Sequence, residues 1–78
     1  MTTPYHVSIA PAAKRKLLAL QSKHQKSIIQ LIEALAINPR PPGVKKIEGM
    51  TGLYSKDLDH LRLIYKIEEQ EILLLLVK

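Results

Sequence analysis

Seventy-eight residues, 46% apolar and 4% aromatic, describe one small domain whose single core must be thin. The absence of cysteine excludes a disulfide scaffold, a thiolate metal site and a thiol nucleophile. The longest apolar run, Ile72 to Val77, is too short to cross a bilayer and the first residues carry no secretory pattern, so a cytoplasmic protein is expected.

In chain order, Tyr5, Val7 and Ile9 alternate with His6 and Ser8, the period of a short strand with one buried side. Pro11 stands where a helix start accepts proline. Ala13, Leu17 and Leu20 recur at helical spacing, with Leu18 widening the stripe and Lys14, Arg15 and Lys16 mostly off it. Ser22 to Gln25 has the S-x-x-Q form of a capping box, which predicts a second helix starting there. Ile28, Leu31, Ile32 and Leu35 mark the inner face of that helix, and Asn38, placed before Pro39, ends it. So tight a corner predicts a helical hairpin.

Asn38 to Gly52 concentrates proline and glycine and reads as a tethered loop, carrying Lys45 and Lys46 and anchored by Ile47. Three strands are expected after it: Leu53 to Leu58, Leu61 to Ile67, and Ile72 to Val77. Asp59-His60 is the expected first turn, and Glu68 to Glu71 the second. The last strand is apolar at every position, as expected of a strand covered on both faces or completed by a partner. The order β-α-α-β-β-β defines an α+β domain, with the hairpin packed on one face of the sheet.

Charge is distributed unevenly. Residues 1–46 carry eight Lys/Arg and one acid, and residues 47–78 carry four and six. A basic half on so small a body suits nucleic acid or an acidic protein. Three tyrosines, with no Trp or Phe, are too few for a base-stacking platform. Lys14, Arg15, Lys16, Lys23 and Lys26 read as a helix exterior or as RNA-docking cations. His6, His24 and His60 lie on different elements without metal-ligand spacing and read as surface or turn residues. Tyr54 and Tyr65 read as sheet-face aromatics. No metal, cofactor or small-molecule ligand is expected, and no membrane partner.

The ordered set Asn38-Pro39-Arg40-Pro41, Gly43-Val44-Lys45-Lys46-Ile47-Glu48-Gly49, Leu53-Tyr54 and Leu61-Arg62-Leu63-Ile64-Tyr65 resembles the RelE/ParE superfamily of bacterial toxins from toxin–antitoxin pairs. The resemblance runs from about Tyr5 to Val77, so residues 1–78 are expected to form a single RelE-like toxin domain. It implies a helical hairpin on a curved antiparallel sheet and a cognate antitoxin as partner. It also implies one of two actions. RelE-like members cleave ribosome-bound mRNA without a metal, using basic side chains, whereas ParE-like members inhibit DNA gyrase by binding it.

By position, the resemblance makes Arg62 the catalytic candidate, a phosphate clamp, while the residues themselves equally allow a salt bridge to Asp57 or Asp59. It makes Lys45 and Lys46 supporting RNA contacts, with Lys56 and Arg40 as further candidates, against the plain reading of solvated side chains. Catalytic relatives place cations where this chain has Ser55 and Asp57, and Lys56 projects to the other side of its strand. Such relatives also continue, beyond the position of Lys78, with a basic segment and a closing tyrosine. The expected function is therefore a toxin acting on mRNA, with a non-catalytic or ParE-like protein binder as the alternative.

Overall fold

The computed structural model describes residues 4–58 and 60–78. Strand β1 (His6–Ile9) leads into α1 (Pro11–Ala19) and α2 (Ser22–Ile37), and then come β2 (Lys45–Lys46), β3 (Leu53–Leu58), β4 (Leu61–Glu68) and β5 (Glu71–Val77). All five strands form one sheet in the order β1-β5-β4-β3-β2. The last three strands are antiparallel neighbours, as expected, but β1 joins β5 in parallel, so the sheet is mixed. The two helices between β1 and the rest of the chain supply the crossover that a parallel pair needs.

Pro11 opens α1, as its fixed backbone angle allows. Ala13 and Leu17 are buried, whereas Leu18 is 65% exposed and does not widen the stripe. The capping box does not form: α2 is capped by Gln21, with no side-chain bond at the cap. Gln25 instead turns its amide back to donate to the Leu20 carbonyl at 2.9 Å, satisfying an acceptor left open at the end of α1. Asn38 leaves the helix in extended conformation, as a residue before proline must.

The core gathers on one side of the sheet. Ile28 and Leu35 from α2 meet Leu63, Tyr65, Ile72 and Leu74, all fully buried. Leu63 and Tyr65 are two apart on β4, so this is one strand face, and Arg62, Ile64 and Lys66 project to the other. Strand β5 is flanked on both edges, by β1 and β4. A register shift between Ile64 and Tyr65 puts Leu74 opposite Tyr65 and Val77 opposite Leu63. The extra residue lets Leu74 and Val77, three apart, both reach the core side. The remaining leucines go to the uncovered side, where Leu73 and Leu75 are half-buried and Leu76 is 40% exposed. The continuous apolar run is therefore completed by strands at its edges and by helices on one face only.

The loop also differs from expectation. Lys45 and Lys46 pair with Ser55 and Tyr54 as a two-residue edge strand, too short and too near proline and glycine for periodicity to reveal. Ile47 is half-buried, and its N–H donates to the Leu53 carbonyl. Gly52 closes the loop with φ +77°, and a Cβ there would stand 2.8 Å from the Ile67 carbonyl oxygen. Glycine is required at that approach.

Candidate functional site

Cross-strand partners share a face, so the register sorts the candidate residues. Arg62 lies opposite Asp57, and Lys45 opposite Ser55, on the open side of the sheet. Lys66 follows on that side by period two. Tyr54 lies opposite Tyr65 and Lys46, and Lys56 lies opposite Leu63, on the helix side. The five candidates therefore divide: Arg62 and Lys45 share the open face, while Lys46 and Lys56 share the other with Tyr54, to which Arg40 is bonded.

On the helix side the basic residues serve the loop. Tyr65 is buried, and its hydroxyl donates to the Pro39 carbonyl at 2.8 Å. Burial pushes that hydroxyl up to about 12. Tyr54 stacks on Tyr65 with centroids 5.9 Å apart. Arg40 lies over the Tyr54 ring, 5.3 Å from its centroid, and its Nε donates to the Tyr54 hydroxyl at 3.1 Å. That hydrogen bond raises the Arg40 guanidinium above its ordinary value. Lys56 Nζ donates to the Pro42 carbonyl at 3.1 Å. Arg40 and Lys56 thus fasten Asn38 to Val44 onto the sheet, and Lys46 is exposed beside them.

On the open face, Arg62 Nε donates to Asp57 Oδ1 at 3.0 Å, and both side chains are more than half exposed. The bonded guanidinium holds the Asp57 carboxyl below the usual carboxylate range. Asp59, the other acid considered as a partner, lies outside the described residues. Lys78 exchanges backbone hydrogen bonds with Arg62, 2.9 Å and 2.8 Å, which sets a second cation beside the first. Asp57, His60, Leu61, Arg62 and Lys78 line one open groove of about 390 Å³. Among the described residues, no group of three His, Asp or Glu side chains converges to hold a metal ion.

Periodicity did not anticipate His60 or Lys78 in this groove. His60 also meets His24, with ring centroids 5.6 Å apart and planes at 72°. The two histidines come from α2 and the β3–β4 turn, so no spacing rule in the sequence could link them. Lys66, by contrast, was legible from its alternation with Arg62.

This arrangement of helices, five-stranded sheet and exposed arginine was compared with known proteins. Residues 7–78 match the family model described as the ParE toxin of the type II toxin–antitoxin system, parDE. The chain belongs to the ParE toxin family. No curated protein sequence matches it. Among solved structures it is similar to the toxin of the archaeal RelE–RelB complex from Pyrococcus horikoshii OT3, with 27% identity and a TM-score of 0.87, covering 96% of this chain and 93% of that one. The toxin–antitoxin complex RelBE2 from Mycobacterium tuberculosis gives 23% identity and a TM-score of 0.82, with 96% of each chain covered. The YoeB dimer from Staphylococcus aureus gives 23% identity and a TM-score of 0.79, covering 96% of this chain and 95% of that one. The last two likenesses establish the fold. The protein is thus a toxin of a type II toxin–antitoxin system with the β-α-α-β-β-β architecture that the resemblance implied. Among the described residues, no helix is long and apolar enough to cross a membrane.

Proposed function

We propose that this ParE-family toxin blocks translation by acting on mRNA, and that a cognate antitoxin restrains it, as RelB accompanies RelE in the Pyrococcus horikoshii complex. The observation that carries the reading is the open groove holding Arg62, Lys78 and His60. Metal-independent RNA cleavage needs cations where charge builds on phosphorus and a group that moves protons. The ribose 2′-oxygen attacks the phosphorus, the bond to the 5′-oxygen breaks, and that oxygen takes a proton. Arg62 spends only its Nε on Asp57. Its terminal nitrogens have no hydrogen-bond partner among the described residues, and they present a planar fork suited to phosphate. Lys45 shares the face as a supporting cation. Arg40 and Lys56 are engaged with Tyr54 and Pro42, so in this reading they act through the loop they hold.

A second reading, binding of a protein target such as DNA gyrase without chemistry, is favoured by two observations. Asp57 neutralises the arginine and would repel a phosphate. The same face also carries Ile64, Leu73 and Leu76, an apolar surface of the kind protein partners cover.

Asp57 makes the two readings separable. In cells induced for the toxin alone, pulse-labelled methionine incorporation should fall. Arg62→Ala should relieve the block, with cleavage of ribosome-bound message slowed by ~10²–10³, the usual effect of losing a charged transition-state donor. Asp57→Asn should strengthen it, because the arginine is released. Normal protein synthesis with impaired DNA supercoiling would replace the mRNA reading by the gyrase reading.

A further inference from the structure

His60 is a wall of two grooves. One is the Arg62 groove. The other, about 370 Å³ and equally open, is lined by Lys23, His24, Ser27 and His60. Their charges differ. In the first, Asp57 offsets Arg62 and leaves Lys78 as the surplus cation. In the second, Lys23 and two imidazoles face one another, and no carboxylate among the described residues lines it. The Ser27 hydroxyl donates back to the Lys23 carbonyl at 3.1 Å, so it shapes the floor and offers no free donor. Lys23 is exposed, and no hydrogen bond or ion pair among the described residues uses its ammonium. The edge-to-face contact at 5.6 Å fixes the imidazoles against each other at the rim between the grooves.

A strand of RNA carries regularly spaced anionic phosphates, and binding several of them requires cations arrayed along one path. We infer that Lys23, His24 and His60 form a second phosphate subsite, which leads a single RNA strand from the Arg62 groove across the β3–β4 turn to the first turn of α2. The inference rests on the mRNA reading and deepens it: the strand is held beyond the reacting phosphate, on cations supplied by a helix. The groups facing the two imidazoles are Lys23 from α2 and Asp57, Arg62 and Lys78 from the sheet. An imidazole gains positive charge as the pH falls through about 8 to 5. The subsite therefore strengthens in that direction.

The test is the binding of a fluorescently labelled single-stranded RNA dodecamer to the purified toxin, followed by anisotropy. It is run across a salt series at about pH 6 and pH 8, with double-stranded RNA and an acidic peptide as competitors. The parent should bind roughly 3–10-fold more tightly at the lower pH, from one to two added cationic contacts. Lys23→Gln should reduce the slope of log affinity against log salt by about 0.7, the value of one single-strand phosphate contact. His24→Gln with His60→Gln should abolish the pH dependence. His6→Gln, on exposed β1, should leave both readouts at parental values.

An unchanged slope in Lys23→Gln, pH dependence retained in the double glutamine variant, or equal competition by the acidic peptide would overturn the subsite. The two readings fail separately. If the toxin slows protein synthesis and the double glutamine variant does so equally, the subsite is wrong and the mRNA reading stands. If RNA binding shows the expected signature while protein synthesis is untouched, the subsite stands and the translation reading falls.

Discussion

Arg40 and Arg62 lie on opposite sides of one sheet, and their surroundings differ in kind. Arg40 joins a chain of contacts that ends in the core: its guanidinium lies on Tyr54, Tyr54 stacks on Tyr65, and the buried Tyr65 hydroxyl closes on Pro39. Arg62 has one exposed acidic partner on the neighbouring strand and water around the rest. On the helix side a polar contact cannot be exchanged without unpacking something. On the open side, exchanging Asp57 for another anion disturbs nothing beneath it. Exchangeable contacts on a rigid support are what a binding face needs.

The largest effect that could break this contrast belongs to Tyr65 and its neighbour Ile64, adjacent in sequence and on opposite faces. Tyr65→Ala is expected to cost about 3–5 kcal/mol, from the cavity it leaves and the Pro39 carbonyl it orphans. Ile64→Ala should cost about 1 kcal/mol, because part of that side chain already meets water. Chemical denaturation of both variants checks the difference. Equal losses would mean that the open face is as structural as the covered one.

A smaller effect sharpens the same point through pH. Burial pushes the Tyr65 hydroxyl up to about 12, while an unfolded tyrosine ionises near ~10. The unfolded chain releases its proton first, so this contribution is complete below about pH 10 and is lost as the pH rises toward 12. The loss over that interval is roughly 2–3 kcal/mol. Tyr65→Phe should start about 1 kcal/mol less stable, since Pro39 loses its donor, but should decline less steeply from about pH 9 to about 11.5. Parallel declines would show that the fold does not hold the hydroxyl neutral.

The sequence made one side of this contrast far easier to read than the other. Leu61, Leu63 and Tyr65 alternate with Arg62, Ile64 and Lys66, so period two alone assigned each residue to a face. Pro11 and the Asn38-Pro39 pair marked helix ends because their backbone restrictions are local. What escaped is what depends on pairing. The parallel β1–β5 ladder joins the two ends of the chain, and the bulge in β5 is hidden in an unbroken run of apolar residues. Ser22-Lys23-His24-Gln25 satisfied a local pattern, yet Gln25 found a better acceptor in the preceding helix. The site was legible in part for the same reason. Arg62 and Lys45 were marked by the resemblance, but their shared face follows from register, and the His24–His60 contact follows from the packing of α2 against a turn.

The smallest expected effect returns to the two arginines. Arg40→Ala removes a cation–aromatic contact and a hydrogen bond at an exposed site, which should cost about 0.5–1 kcal/mol. A double-mutant cycle with Tyr54→Leu should recover most of that as coupling, since the two side chains touch directly. Arg62→Ala should leave the denaturation midpoint within experimental scatter, and its cycle with Asp57→Ala should show no coupling at high salt, where exposed ion pairs are screened. The ordering of the two cycles is the decisive readout. Coupling between Arg62 and Asp57 that survives salt and matches the Arg40–Tyr54 pair would make the ion pair a structural clasp. Arg62 would then not be free to exchange its carboxylate for a phosphate, and the open groove would lose the cation on which its proposed chemistry rests.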